Sequence, residues 1–362
     1  MTSPTSYQPS RKLPTEFAMA AACCRWTYSG EDADEVRTLA KAVDWGAFLH
    51  ICRRHRVQGL ACHALSGLQV ALPAPVQIAL AGDARRIADQ GLRAARESAR
   101  LASAFQAAGV PLLFLKGLPV GKLAYGNPFL KMSSDIDVLV HPSDVARAAT
   151  VFGELKYGLD LPSEPSSLVR WHGSRKESVW RGGDNLTVEL HSRVADQPEL
   201  LPTIDASSPS QIVNIAPGVD LATLADEELF AYLCVHGASS AWFRLKWITD
   251  LAALLHGREA ADIDRVHARS QQLGAGRAAA QALLIAEQLY GVSLSPALAG
   301  QLRTPVNRWL AGLALDAIRH GEPTRRPLGT WTIHLTQFFL KSGIRYKFAE
   351  LGRHARAATG IF

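Results

Sequence analysis

The stretch Lys131-Met132-Ser133-Ser134-Asp135-Ile136-Asp137-Val138-Leu139-Val140 puts two carboxylates one residue apart at the head of a short apolar run. A run of Ile, Val and Leu this short reads as a buried strand. Side chains alternate across a strand, so Asp135 and Asp137 leave one face and Ile136 and Val138 the other. Two like charges a few ångströms apart repel each other, and a divalent cation between them relieves that repulsion. The pattern points either to a metal site at a strand's edge or to two solvated surface acids.

Upstream, Val110-Pro111-Leu112-Leu113-Phe114-Leu115 is a buried strand by composition and runs straight into Lys116-Gly117. Residues 118–125 read as a short helix and Gly126-Asn127-Pro128 as a loop. Downstream, Pro142 and Ser143 end the Asp-x-Asp strand and open a helix over about 143–157, after which 159–175 read as irregular. Residues 178–181 and 186–191 read as two strands joined by Gly182-Gly183-Asp184-Asn185, a hairpin signal. On the second of these, Thr187, Glu189 and His191 share one face and Val188 and Leu190 the other.

The flanks have helical periodicity. Trp45, Phe48, Leu49, Val57, Leu60 and Leu65 recur at three- and four-residue intervals within a helical region over 15–70. His50, His55 and His63 fall there beside arginines, and read as solvated or capping groups because no carboxylate or Cys shares their spacing. A long helix over about 76–108 follows, closed by Gly109. Residues 199–224 read as a loop-rich connector. From Asp226, read as an N-cap, the chain is helical almost to its end. Trp242, Leu245, Ile248, Leu251, Ala252 and Leu255 outline one apolar stripe, and Lys246 and Asp250 stand as an i,i+4 pair. Further helices are expected over about 277–290, 304–320 and 330–357. The last carries basic residues that could bind phosphates, or could cover a solvated face with Phe338, Phe339, Tyr346, Phe348 and Leu351 inward. The expected division is a disordered lead over 1–13, a helical region over 14–108, an α/β unit over 109–198 and a helical domain over 199–362.

A chain of 362 residues can bury a sizeable core, and 48% apolar with 20% charged residues is ordinary for a globular protein. The net charge of +6 suits a phosphate-bearing ligand, but with no aromatic-and-basic binding module it argues against nucleic acid. Five scattered cysteines without a Cys-x-x-Cys pair read as reduced thiols, which with a polar N-terminus points to the cytoplasm. No apolar stretch is long enough to span a bilayer.

Three stretches together carry a resemblance: Phe114-Leu115-Lys116-Gly117, Ser134-Asp135-Ile136-Asp137-Val138-Leu139-Val140 and Val188-Glu189-Leu190-His191. Their order and spacing resemble the palm of the DNA polymerase β-type nucleotidyltransferase superfamily. With Cys234-Val235-His236-Gly237 and Arg244-Leu245-Lys246-Trp247-Ile248-Thr249-Asp250-Leu251, the chain looks still more like a little-characterised bacterial nucleotidyltransferase family of that superfamily. The resemblance implies an α+β fold, a polymerase β-like palm with a small mixed sheet and helices, flanked by N- and C-terminal helical regions. Two features depart from the superfamily pattern. Lys116-Gly117-Leu118 stands where Gly-Ser or Gly-Gly is usual, and the gap from Gly117 to Asp135 is longer. Lys131 stands where the family has Arg, which keeps the charge and loses the bidentate fork.

The resemblance implies a nucleotidyl group moved from an NTP, ATP as the expected one, to a hydroxyl of a peptide, protein or small-molecule acceptor. Two Mg²⁺ ions, or Mn²⁺ in their place, would lie about 4 Å apart on Asp135, Asp137 and Glu189. Lys116, Gly117, Ser133, Ser134, Lys131 and Lys246 would approach the nucleotide. His191, His236, Arg244 and Asp250 would face the acceptor or support the site. On residues alone, each of these groups also fits an ordinary strand end or helix surface. Phosphoryl transfer on the same scaffold and a non-catalytic nucleotide- or partner-binding protein are the alternatives. If the acids form a metal-free carboxylate cluster, Asp137→Asn should relieve repulsion and cost little stability.

Overall fold

The computed structural model describes residues 13–160, 165–183, 186–319 and 331–359. All but Leu13 of the expected lead lies outside these residues, as do Asp184 and Asn185 of the hairpin turn.

The strand expected before Lys116 is β1 (Leu113–Phe114), and the Asp-x-Asp run is β2 (Ile136–Leu139). β3 (Gly158–Leu159) and the hairpin of β4 (Glu177–Arg181) and β5 (Thr187–His191) complete a small sheet in the order β1-β2-β5-β4-β3. β2 and β5 run parallel and the other neighbours antiparallel, so the sheet is mixed and the fold is α+β. The parallel register sets Asp137 beside Glu189 and Leu139 beside His191.

Period-two alternation places the core. Ile136, Val138, Val188 and Leu190 are buried with Leu101 and Phe105 of the long Ala74–Ala107 helix and with Phe152 and Trp180. Fully burying a Val or Leu contributes roughly 1.5–3 kcal/mol, which makes a one-residue slip of either central strand prohibitive. Leu113 and Leu139 belong to a second core shared with the helical flanks, including Leu229, Tyr232 and Trp242. The acids therefore stand on the sheet face that looks toward the helices.

The helical flanks form as the periodicity predicts, with three differences. The segment expected as a loop-rich connector contains a hairpin of β6 (Ser210–Ala216) and β7 (Val219–Leu224), turned at Pro217-Gly218. Val213, Ile215 and Leu221 point into the core of the five-stranded sheet. Ile212 on the opposite face is 68% exposed, and this apolar residue on the solvent side hides the alternation. Within the stretch read as irregular, Pro165–Ser174 is a helix that buries Leu168. The single helix expected over 330–357 is two, Trp331–Gln337 and Ile344–Thr359, separated by a turn that includes Gly343 at φ +102°.

The second of these turns a different face inward from the one expected. Tyr346 and Glu350 are buried, with Glu350 gripped by Arg353 and His354, while Phe348 and Leu351 are exposed. Asp226 is not the N-cap of Asp226–Ser239; Ala225 is, and the Asp226 carboxylate grips Arg258. Of the two roles expected for His55, it takes the capping one and is not solvated. It is fully buried, and its Nδ1 accepts the Leu245 backbone N–H at 3.0 Å, tying the N-terminal helices to Leu245–Leu255. All five cysteines are unpaired, and four are buried. No helix among the described residues is long and apolar enough to cross a membrane.

Candidate functional site

Asp137, Glu189 and His191 each offer one ligand atom within 4.8 Å of the others. His191 Nε2 lies 3.3 Å from Asp137 Oδ1 and 3.7 Å from Glu189 Oε2. The strands explain the convergence, because a parallel register of Asp137 against Glu189 aims both side chains to one face and His191 follows two residues on. Asp135 does not join this group. It precedes the first paired residue of β2, and its carboxylate accepts from Ser134 Oγ at 3.3 Å. Two of the expected acids, Asp137 and Glu189, thus stand with His191, while Asp135, whose side chain is as exposed as that of Glu189, reaches Asp137 through Lys116.

Lys116 links Asp135 to the others. Its Nζ lies 2.5 Å from Asp137 Oδ2 and 3.5 Å from Asp135 Oδ2, so the two aspartates share a cation supplied by the chain. Burial alone would push the Lys116 ammonium toward neutrality, but Asp137 and Asp135 outweigh it and raise its pKa. Burial likewise opposes ionisation of Asp137, yet Lys116 and His191 hold its carboxyl well below the usual range. Burial raises Glu189, with the Asp137 charge adding to it against the His191 hydrogen bond. His191 is raised because Asp137 and Glu189 outweigh its burial. Asp137 does repel Glu189, but Lys116 and His191 outweigh that repulsion at Asp137 itself, so net relief on removing Asp137 is not expected.

Sequence reasoning missed four participants. Glu177 sits opposite His191 in the β4–β5 register, with Oε2 3.4 Å from His191 Nδ1, and the alternation of the expected hairpin would have placed it there. Lys176 holds Glu177 at 2.9 Å. Tyr232 lies one helical turn before His236 and faces the same acids, whose charges raise its pKa beyond the effect of burial. Arg56 ends its helix in a left-handed conformation at φ 57° and donates to Ser134 Oγ at 3.3 Å, a long-range contact with no local signal.

Gly117 caps the Leu118–Tyr125 helix at φ +75°, ψ −119°, a backbone region open to glycine. A Cβ there would come within 3.0 Å of Ser133 Oγ, so Gly117 and Ser133 pass in contact beside Asp135. Ser133 Oγ donates to the Asp135 carbonyl at 2.9 Å.

Lys131 is paired within the protein. Its ammonium is buried 2.5 Å from Asp250 Oδ2, and Tyr125 donates to the other Asp250 oxygen at 2.9 Å. The expected Lys246–Asp250 pair is absent among the described residues, since Asp250 is taken by a lysine 119 positions away. Burial holds the Lys246 ammonium well below the ordinary lysine range, and Lys131, Arg56 and Lys116 press it the same way. Like cations around a poorly solvated ammonium describe a place for an anion. His236 is near the acids and kept neutral by burial and by Lys116 and Lys176, with its ring edge-on to Trp247. Gly237 beside it leaves room for the Trp242 ring, which a Cβ would overlap. Arg244 stands at the N-cap of Leu245–Leu255 with its guanidinium over Phe243.

The donor set fits a hard divalent cation. Two carboxylates and an imidazole each offer a ligand atom within 4.8 Å of the others, and Lys116 on Asp137 Oδ2 leaves Asp137 Oδ1 facing His191. An acid face that could hold a metal ion lies beside a glycine-capped helix and several cations. The chain belongs to the family described as uncharacterised nucleotidyltransferase, which it matches over residues 41–291. That span takes in the sheet, all the site residues above and the helices through Gly276–Tyr290. No curated protein matches the chain.

Proposed function

We propose that this protein transfers a nucleotidyl group from ATP, with Mg²⁺ or Mn²⁺, to a hydroxyl of a peptide, protein or small molecule. The observation that carries the reading is the convergence of Asp137, Glu189 and His191 on one sheet face, with Lys116 against Asp137 and Asp135 beside them. We assign metal ligation to Asp137 and Glu189, with Asp135 as the solvent-side acid. A divalent cation bound there would neutralise charge on the entering and leaving oxygens. The acceptor oxygen bonds the α-phosphorus, the α–β bridge breaks and pyrophosphate leaves. The acceptor's proton, made more acidic by the cation that Asp137 and Glu189 would hold, would pass to solvent.

Lys246 and Arg56 would meet the phosphates, with Gly117, Ser133 and Ser134 at close backbone approach. Lys116 holds Asp135 and Asp137 together. Lys131, Asp250 and His236 support these groups from behind, and Arg244 fixes the start of its helix. We read the α/β unit as a polymerase β-like palm that extends through Leu224, since β6 and β7 share its core.

The test is incubation with each NTP and Mg²⁺, followed by intact-mass analysis and pyrophosphate detection. A nucleoside monophosphate adduct on an acceptor supports the reading, and added phosphate alone would mean phosphoryl transfer. Full turnover by both Asp137→Asn and Glu189→Gln would sink the metal assignment.

A further inference from the structure

A cavity of about 660 Å³ opens between the end of the sheet and the Ile344–Thr359 helix, outside the site described above. It is the right size for a small-molecule ligand. Arg175, Arg193, Arg345 and Arg353 line it, against the carboxylates of Asp196 and Glu199. Those acids are partly engaged elsewhere, Glu199 with Lys341 at 3.4 Å and Asp196 with Lys176 at 4.0 Å. Arg353 is held by Glu350. Arg193 differs from these: Asp196 supplies a counter-charge, but Arg193 Nε and Nη2 are buried and have no hydrogen-bond partner. A buried, unpartnered guanidinium edge costs free energy unless an acceptor meets it, and its planar fork matches a phosphate or carboxylate.

The cavity is also coupled to the acids. Asp196 on its wall reaches Lys176, Lys176 holds Glu177 at 2.9 Å, Glu177 lies 3.4 Å from His191, and His191 lies 3.3 Å from Asp137. The cations assigned to the triphosphate lie elsewhere, grouped around Lys246. The cavity thus adjoins the acids on the side of Glu177 and His191.

We infer that this cavity is an acceptor subsite, and that the molecule receiving the nucleotidyl group carries a phosphate or carboxylate that docks on Arg193. The assignment to an acceptor rests on the nucleotidyl-transfer reading; the anion site itself does not. Phe348, exposed on the cavity wall, offers an apolar surface to the body of such a molecule.

The probes are inorganic phosphate and succinate, titrated calorimetrically into the full chain with and without a saturating non-hydrolysable ATP analogue. Both anions test the same fork, and their ratio of affinities tells a phosphate-bearing from a carboxylate-bearing acceptor. Arg193→Met should weaken the better probe about tenfold or more, and Arg193→Lys should weaken it less. Arg345→Ala, at an exposed position, should weaken it about threefold and serves if Arg193→Met does not fold. Failure of both anions to bind, or binding unaffected by the arginine variants, overturns the anion site without touching the transfer reading. Binding that depends on Arg193 but is abolished by the ATP analogue would make the cavity part of the nucleotide's own site and overturn the acceptor assignment. Loss of the transfer reading would show instead as full turnover in the acid variants.

Discussion

Replacing Asp137 with asparagine removes charge and keeps shape, so it isolates what the carboxylate does for the folded chain. The Asp137 side chain is 1% exposed and the Lys116 side chain 19% exposed, with 2.5 Å between their charged atoms. Breaking a buried ion pair by deleting one partner costs about 3–5 kcal/mol, because the remaining charge stays desolvated. Asp135 at 3.5 Å still faces the ammonium, and the lysine keeps some solvent contact, which brings the expected loss to about 2–3 kcal/mol. His191 also loses a charged neighbour and becomes easier to deprotonate.

The assay is urea unfolding in EDTA, so that no cation rescues or masks the pair. With a slope of about 3 kcal/mol per molar for a chain of this size, the midpoint should fall by roughly 1 M. Lys116→Met/Asp137→Asn removes both charges and should return to within about 1 kcal/mol of wild type, while nucleotidyl transfer stays lost in both variants. If Asp137→Asn proves as stable as wild type or more stable, carboxylate repulsion dominates this face and the account of Lys116 as its counter-ion is wrong.

Other consequences concern the basic cluster and the buried histidines. Lys246→Met deletes a poorly solvated ammonium among other cations, so stability should rise by about 1 kcal/mol while ATP affinity falls about tenfold; urea unfolding and equilibrium ATP binding read the two effects, and loss of both together would contradict the assignment. Asp250→Asn strands the buried Lys131 ammonium and should cost about 3 kcal/mol in the same unfolding assay, with Lys131→Met/Asp250→Asn largely recovering it. Burial pushes His55 down to about 3 from its ordinary 6.5, with Arg54 and Arg244 adding to it, so the unfolded chain binds a proton there that the folded chain refuses. Stability should therefore fall as pH drops from 6.5 toward 3, by about 1.4 kcal/mol per pH unit, and show no His55 contribution above 6.5. His55→Asn should flatten that slope, and an unchanged difference between pH 6 and 4.5 would exclude His55 as its source.

The acids were legible because strands report locally. Period two fixes that Glu189 and His191 share a face and that Asp137 leaves the strand opposite Val138, whatever the rest of the chain does. Glu177 was legible on the same rule, one residue before the strand was taken to begin. The pairing of Asp137 with Glu189 was not, since parallel register is set by contacts between β2 and β5 that no short stretch encodes. Nor was the exclusion of Asp135 from the metal-capable group, which depends on where the ladder starts. The β6–β7 hairpin escaped notice because Ile212 puts an apolar residue on its solvent face.

The cations behave differently, and Asp250 shows why. Helical spacing offers it Lys246 four residues earlier, an exposed-surface pairing of about 0.3–0.5 kcal/mol. The fold instead brings it Lys131, with both side chains under 10% exposed and Tyr125 completing the hydrogen bonding. Leaving either of those charges unpaired inside the protein costs several times the local pairing energy, so the distant partner wins. The consequence falls on Lys246. With Asp250 held by Lys131, the pull of that carboxylate on Lys246 is outweighed by burial and by Lys131, Arg56 and Lys116, so an anion from outside the chain would favour its charged form. The lysine expected at the nucleotide, Lys131, thus serves the fold, and by occupying Asp250 it leaves Lys246 as the group that a triphosphate would stabilise.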